Sequence, residues 1–281
     1  MPNGNKAARK LANELIMVCL VMVGLLLVWS ASQRIVNFDE RQQQLAEHSV
    51  RAAAGEVDLY IKGYQRAVDI FAEENRFFLS TLELWPQDME SYTLLQEKIV
   101  RYFPEHFTFT LADSNGTTLL EGFEGMVGEK CREDIQIFAA NEGEYGIYQH
   151  QTPEGEHRHF DIMSYWQGSE SDEAVFFISF GMERLESILQ RTQVPGHQLM
   201  LVRHDMPGYV DVTATENRKY LPAGGYLDDA TLRRVSYSSP VPGTRWNLIV
   251  LPDNTLYSQA HRSILVETML MFIGFLVVSF I

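Results

Sequence analysis

Polar side chains that alternate along the segment His159–Tyr165 have the types and spacing best suited to small-molecule binding. In a β-strand every second side chain lies on the same face, and here that face carries His159, Asp161, Met163 and Tyr165. A carboxylate on this face can accept hydrogen bonds from an amine, whereas an imidazole or a phenol can donate them. We therefore predict a ligand pocket with a polar end and an aromatic wall.

Two neighbouring residues complete the predicted ligand-binding set. Tyr148 lies on the preceding predicted strand, and Arg132 lies on the predicted helix before that strand. The alternative to a pocket is that His159 and Asp161 satisfy each other at the rim of the sheet.

The surrounding stretch, residues 121–173, holds most of the negative charge of the chain. It contains 13 acidic and three basic residues together with His150, His157 and His159. Divalent-cation or pH sensing is one interpretation, and a solvated acidic surface is the other. The spacing His157-x-His159 also fits zinc or haem iron, but it arises often by chance. We predict no metal and no cofactor, and the sequence identifies no basic partner that would activate Cys131 as a redox thiol.

Composition and motifs exclude several classes of protein. A net charge of −14 over 281 residues is wrong for a nucleic-acid binder, which needs a basic surface. Cys19 lies in an apolar run, which leaves Cys131 as the single cysteine in the rest of the chain. That part of the chain therefore cannot form an internal disulfide. The chain has no Walker-type phosphate loop, no G-x-S-x-G elbow and no H-E-x-x-H motif, and we predict no enzyme within these residues.

Apolar runs near both ends predict two membrane-spanning helices. Leu15–Trp29 lacks charge and follows a basic segment, which is expected to stay in the cytoplasm. Met269–Ile281 is the second run. The alternatives are a cleaved signal peptide at the first run and a buried core helix at the second. Because the second run stops without a polar flank, we expect a cytoplasmic output module to follow it.

Between these runs the hydrophobic periodicity changes from helical to strand-like. Arg34–Leu79 lacks proline, and Val57, Ile61, Tyr64, Val68 and Phe71 repeat at helical spacing, which predicts one long helix that can act as a stalk and a dimer seam. A second helix is expected over 89–103. Strands are predicted at 107–111, 117–121, 145–149, 159–166, 174–180, 197–205, 209–213, 232–241 and 246–251, and helices at 129–141, 182–190 and 256–267. This order indicates the α+β class with antiparallel sheets.

Three segments resemble the double Cache, PAS-like sensor domains of bacterial transmembrane receptors. They are FTFTLADSNG (Phe107–Gly116), GEKCREDI (Gly128–Ile135) and VPGTRWNLIVLPD (Val241–Asp253). The resemblance implies tandem PAS-like sheets, over 104–192 and 193–255, on a long helical region over 35–103. The second unit is short, so a single Cache domain with an elaborated hairpin stays an alternative.

The resemblance also implies a function. Such proteins bind a small molecule outside the cytoplasm and relay the signal to a diguanylate cyclase, histidine kinase or chemoreceptor module. We therefore expect an inner-membrane protein with a cytoplasmic segment 1–12, spans at 13–31 and within 256–281, and a periplasmic region over about 35–262. A homodimer through the long helix is expected. The alternatives are a membrane-anchored protein that recruits an exported partner and a metal-dependent periplasmic enzyme.

Overall fold

The computed structural model describes residues 3–120, 129–141, 143, 145–151, 157–168, 173–214 and 225–280. The chain divides into two compact units, Met1–Ala46 with Pro252–Ile281, and Glu47–Leu251. The first unit contains the start of helix α1 (Asn3–Glu74) and the last helix of the chain, Asn254–Phe280.

Both helices of the first unit are long and apolar enough to cross a membrane. Their most apolar windows have mean hydropathies of 2.5 and 1.8, and only 11% and 6% of those windows is buried. Polar contacts join the two helices beyond the apolar segments. Arg34 pairs with Glu267 at 2.7 Å, and the His261 Nε2 lies 2.8 Å from Asp39 Oδ1.

The predicted long helix is confirmed as far as Glu74, the last residue of α1. The buried Asn75 separates α1 from the next helix. The Asn75 side chain donates a hydrogen bond to the Phe71 carbonyl at 2.8 Å, and α2 (Arg76–Leu84) follows at once. Helix α3 (Met89–Tyr102) agrees with the prediction over 89–103, and its N-terminus is capped by the Asp88 carboxylate, which accepts from the Glu90 amide.

The first sheet of the second unit is antiparallel and has the strand order β1-β4-β3-β2. Its strands are β1 (His106–Ala112), β2 (Gln149–Gln151), β3 (Arg158–Gln167) and β4 (Glu173–Gly181). One face packs on α1, with the rings of Phe71 and Phe176 stacked at 5.5 Å. The other face packs on α4 (Glu129–Ala140) through Cys131, Ile135 and Phe138.

The second sheet also has four strands, in the order β6-β5-β8-β7. They are β5 (His197–Arg203), β6 (Val210–Thr213), β7 (Tyr237–Pro240) and β8 (Trp246–Pro252). Helix α5 (Glu183–Thr192) precedes the sheet, α6 (Asp229–Leu232) lies between β6 and β7, and α7 (Asn254–Phe280) follows β8. The predicted α+β class and the second sheet are therefore confirmed, and the single-sheet alternative is not.

Three predicted strands differ from the structure. Within 117–121, the described residues form only an isolated bridge, Ala112↔Thr118, because the turn is held by Asp113 Oδ1, which accepts from the Asn115 and Thr117 amides. Gln149 starts a strand that we expected to start at 145. The strand expected from 232 starts only at Tyr237, because the Asp228 carboxylate caps α6 instead.

Hydrogen bonds join the two sheets at Asp211, which is fully buried on β6. Its Oδ2 accepts from Trp246 Nε1 at 2.6 Å and from the Gln149 amide at 3.2 Å. The Asp211 carbonyl accepts from Arg158 at 3.3 Å, and Ile147 forms a parallel bridge with Thr244. Both sheets thus share one polar junction.

Candidate functional site

The helix α4 and the strands β2 and β3 bring five polar residues into the interior. We call Cys131, Asp134, His150, His159 and Asp161 the buried polar cluster, since all five are buried. The two α4 residues are three positions apart and so share a helix face. The two histidines are directly opposite each other in the β2–β3 ladder, and Asp161 follows His159 on the same face of β3.

Neighbouring side chains of the cluster approach one another to between 3.4 and 3.7 Å. The Cys131 Sγ is 3.5 Å from His159 Nε2 and 3.6 Å from His150 Nδ1. The His150 Nε2 lies 3.4 Å from both Asp134 Oδ2 and Asp161 Oδ2. The His159 Nε2 is 3.7 Å from Asp161 Oδ1, so these two residues do not satisfy each other by a direct hydrogen bond.

Burial sets the protonation of the cluster. It raises the pKa of Asp161 to about 7 and lowers the pKa of His150 to about 2 and of His159 to about 4. Burial also raises the pKa of Asp134. Ser179 donates to Asp161 Oδ1 at 2.7 Å, whereas Oδ2 has no hydrogen-bond partner among the described residues. The site thus favours neutral histidines and disfavours an isolated carboxylate charge.

Two tyrosines lie between the cluster and its surroundings. The Tyr145 hydroxyl is 3.1 Å from His150 Nε2 and 3.3 Å from Asp134 Oδ2. The Tyr148 hydroxyl donates to Asp134 Oδ2 at 2.6 Å. The guanidinium groups of Arg203 and Arg245 lie 4.0 and 4.5 Å from the centroid of the Tyr148 ring, within the range of cation–π contacts. Tyr148 therefore connects the buried polar cluster to the guanidinium groups of Arg203 and Arg245.

The two arginines share a carboxylate partner, Asp205. The hydrogen bonds from Arg203, at 2.7 and 2.5 Å, hold the pKa of Asp205 at about 2, and Arg245 contributes by its charge. Since the folded-state pKa lies below the ordinary value of about 3.9, the ionised group stabilises the fold above about pH 4, and this contribution is lost as the pH falls toward 2.

We expect Asp205→Asn to be less stable than the wild type near about pH 6, with the difference shrinking below about pH 4. Urea unfolding of the full chain in detergent at a series of pH values measures this difference. Glu97→Gln, on the exposed side of α3, is the control for loss of a surface negative charge. A difference that stays constant down to about pH 2.5 would contradict the assignment.

A cleft of about 340 Å³ lies beside the cluster, at the edge of β3. Strand β2 pairs only with Arg158–Phe160, so the edge of β3 beyond Phe160 lacks a β2 partner. The cleft is lined by residues of α1, α4 and β3 and by the segment before β2, among them Gln65, Asp69, Phe138, Tyr145, Ser164 and Tyr165. Its volume is in the range of small-molecule pockets. Tyr145 lines the cleft and also contacts the cluster.

The structure separates the five predicted ligand-binding residues. Tyr165 lines the cleft and donates to the Phe138 carbonyl at 2.7 Å. His159 and Asp161 belong to the buried polar cluster, and Tyr148 touches it through its hydroxyl. Arg132 follows Cys131 on α4 and is half-buried.

The predicted ligand-binding set left out four residues that lie at the candidate site: Cys131, Asp134, His150 and Tyr145. Sequence reasoning gave Cys131 no basic partner, whereas the structure places His150 and His159 against its sulfur. His157, expected as a possible partner of His159, is exposed and lies beside the Phe107 ring, on which His159 also stacks. The feature of the sequence that could have identified His150 is the short connection between β2 and β3, which places His150 opposite His159 in the ladder. Much of the acidic stretch 121–173, including residues 121–128, 152–156 and 169–172, lies outside the described residues.

The comparisons with known proteins find similarity in structure. No family model matches the chain, and no curated protein is significantly similar to it. A ligand-binding domain of the amino acid chemoreceptor PctB of Pseudomonas aeruginosa PAO1, in complex with L-Arg, matches with a TM-score of 0.52 at 15% identity, over 79% of this chain and 92% of that one.

Two further structures give the same result. The sensor domain of the V. cholerae histidine kinase DctB matches with a TM-score of 0.54 at 11% identity, over 76% of this chain and 99% of that one. The ligand-binding domain of Mlp24 with asparagine matches with a TM-score of 0.52 at 13% identity, over 79% of this chain and 98% of that one. Such identities show the fold alone, and that fold is the one found in Cache-type ligand-binding sensor domains of chemoreceptors and histidine kinases, as the sequence resemblance predicted.

Proposed function

We propose that residues 35–262 bind a small molecule outside the cytoplasm and relay its binding through α1 and α7 to a cytoplasmic output module. The observation that carries this proposal is the cleft at the edge of β3, which adjoins the buried polar cluster. The fold supports it, because two similar structures are ligand-binding domains in complex with L-Arg and with asparagine. The output module is of the diguanylate cyclase, histidine kinase or chemoreceptor type.

The lining of the cleft favours a ligand that carries an amine. Asp69 is exposed on α1 and lines the cleft, so its carboxylate can accept a charge-assisted hydrogen bond from an ammonium group. Tyr145 and Tyr165 supply aromatic surface for the apolar part of the ligand. We propose that Tyr148, His159 and Asp161 act on this site through Tyr145 rather than by direct contact.

The proposed topology has two spans in the inner membrane with the sensing region in the periplasm. The two apolar helices support it, because their exposed apolar side chains need a hydrophobic environment. A homodimer through the long α1 helix is part of the proposal, since a helix of this length offers a continuous seam to a second copy.

The relay needs a contact that differs between the free and the bound state. We propose that it runs from Tyr145 to Asp134 and then to Tyr148, whose ring is held by Arg203 and Arg245. A ligand that moves Tyr145 would change the Asp134 contacts and thereby bias the position of both arginines.

The proposal is tested by thermal melts of the full chain in detergent against amino acids, carboxylates, polyamines and divalent cations. A ligand present at about 100 times its Kd should add about 2.7 kcal/mol of stability. A shift with amines supports the proposed function. A shift with cations alone would contradict an amine ligand, and no shift with any compound would favour a membrane-anchored protein that recruits an exported partner.

Asp69→Asn is expected to weaken binding of the amine found in that screen by about 10- to 100-fold. The reason is that a hydrogen bond to a charged group contributes about 1.5–3 kcal/mol, and the amide keeps the shape but not the charge. Isothermal titration measures the change. Glu73→Gln removes a charge one turn further along α1, outside the cleft, and is the matched control. Equal affinities of the Asp69→Asn variant and the wild type would remove Asp69 from the site.

A further inference from the structure

We propose that the buried polar cluster binds a divalent transition-metal ion of the zinc class, with Cys131 Sγ, His159 Nε2 and an Asp161 carboxylate oxygen as ligands. The inference goes beyond the proposed function and does not rest on it. An ion held by these three side chains can be measured whether or not the cleft binds an amine.

Two of the three separations between the ligand atoms lie within about 0.4 Å of those in tetrahedral coordination. Zinc bonds of about 2.3 Å to sulfur and about 2.0–2.1 Å to nitrogen or oxygen, at tetrahedral angles, place sulfur and nitrogen about 3.6 Å apart and nitrogen and oxygen about 3.3 Å apart. The Cys131 Sγ lies 3.5 Å from His159 Nε2, and that nitrogen lies 3.7 Å from Asp161 Oδ1. One atom from each of the three residues lies within 4.8 Å of both others. Little movement is needed to enclose an ion.

The ligand types select the class of ion. A thiolate with an imidazole suits zinc and its neighbours in the transition series, whereas calcium and magnesium prefer oxygen ligands throughout. A divalent ion also balances the charge of one thiolate and one carboxylate, so the ion and its three ligands are neutral together. This matters because an uncompensated charge in the interior is costly, and all three ligand residues are buried.

An unpartnered oxygen supports the assignment independently of the spacing. Asp161 is fully buried, and its Oδ2 has no hydrogen-bond partner among the described residues. Such an oxygen normally finds a donor or an ion in a folded protein. Oδ2 lies 3.4 Å from His150 Nε2 and belongs to the carboxylate that supplies the proposed ligand oxygen.

His150 and Tyr145 supply the outer contacts that a metal thiolate needs. The His150 Nδ1 lies 3.6 Å from the Cys131 Sγ, and its Nε2 lies 3.1 Å from the Tyr145 hydroxyl. With the proton on Nδ1, His150 donates to the sulfur and accepts from Tyr145. Outer partners of this kind orient ligands and tune metal affinity.

The test is Co²⁺ binding to the full chain, purified in detergent, reduced and freed of metal with a chelator. We expect one equivalent of Co²⁺ per chain, with a sulfur-to-cobalt charge-transfer band and visible bands of tetrahedral intensity. Zn²⁺ should displace Co²⁺, whereas excess Ca²⁺ or Mg²⁺ should not. Wild-type protein that takes up Co²⁺ without a charge-transfer band would overturn the proposal, as would protein that binds none.

Matched cysteine variants locate the ligand. Cys131→Ser should lose the charge-transfer band and raise the Zn²⁺ Kd by at least about 100-fold, above the 10- to 100-fold cost of losing an outer partner. Cys19→Ser, in the apolar part of α1, should leave the band and the Kd unchanged. Asp161→Asn should weaken Zn²⁺ binding while keeping the band. The metal-free melting temperature of each variant reports whether it folds, and a folded Cys131→Ser with wild-type Zn²⁺ affinity would refute the site.

Discussion

Asp211→Ala is expected to lower the free energy of unfolding of the unit Glu47–Leu251 by about 3–5 kcal/mol. The substitution removes the acceptor of two buried donors, the Trp246 Nε1–H at 2.6 Å and the Gln149 amide at 3.2 Å. Each donor left unpaired in the interior costs about 1–3 kcal/mol, because neither can reach water. Urea unfolding of the full chain in detergent, followed by tryptophan fluorescence, measures the loss.

A companion variant tests the cause of that loss. Trp246→Phe keeps a buried ring on β8 but removes one donor, so it should cost less than Asp211→Ala. The double variant should cost less than the sum of the two, since the residues share one contact. A cost of Asp211→Ala under about 1 kcal/mol would show that water or another acceptor replaces the lost carboxylate.

Phe71→Ala is expected to cost a similar amount, about 3–5 kcal/mol, for an apolar reason. The ring is fully buried where α1 meets the first sheet, with centroids 5.3 Å from Phe103 and 5.5 Å from Phe176. Truncation leaves a cavity that the aromatic neighbours cannot fill without leaving their own packing. Thermal and urea melts of the full chain give the change in stability.

The control for Phe71→Ala is a substitution at Phe77, six residues further along the chain. Phe77 on α2 is 75% exposed, so Phe77→Ala should change the stability by no more than about 0.5 kcal/mol. Equal effects of the two substitutions would mean that α1 does not pack on the first sheet as described. A smaller cost of Phe71→Ala alone would indicate that the site collapses around the missing ring.

The sequence predicted those elements whose pattern is set locally. The helical spacing from Val57 to Phe71 and the alternation along Phe107–Leu111 both depend on one buried face, and both elements are present. The strands predicted at 117–121 and from 232 failed because side chains of Asp113 and Asp228 bind nearby amides. Such local hydrogen bonds compete with strand pairing without altering the apolar pattern.

The site could be predicted only in part, because it depends on pairing between distant segments. Alternation correctly placed His159 and Asp161 on one face of β3, but it carries no information on which helix covers that face. Cys131 and His150 join them through the packing of α4 and the register of β2, which no local pattern reports. His157 is nearer to His159 in sequence than His150 is, but it is exposed and does not belong to the buried polar cluster. Distance along the chain therefore does not predict the members of the cluster.

The bridge between Ile147 and Thr244 makes the two sheets poor candidates for exchange by recombination. The Ile147 amide donates to the Gly243 carbonyl, and the Arg245 amide donates to the Ile147 carbonyl, so the segment before β2 belongs structurally to both sheets. A chimaera that took its first sheet from another protein of this fold would have to match the backbone path of the β7–β8 turn as well. The first sheet can therefore be transplanted only together with the second sheet, not alone.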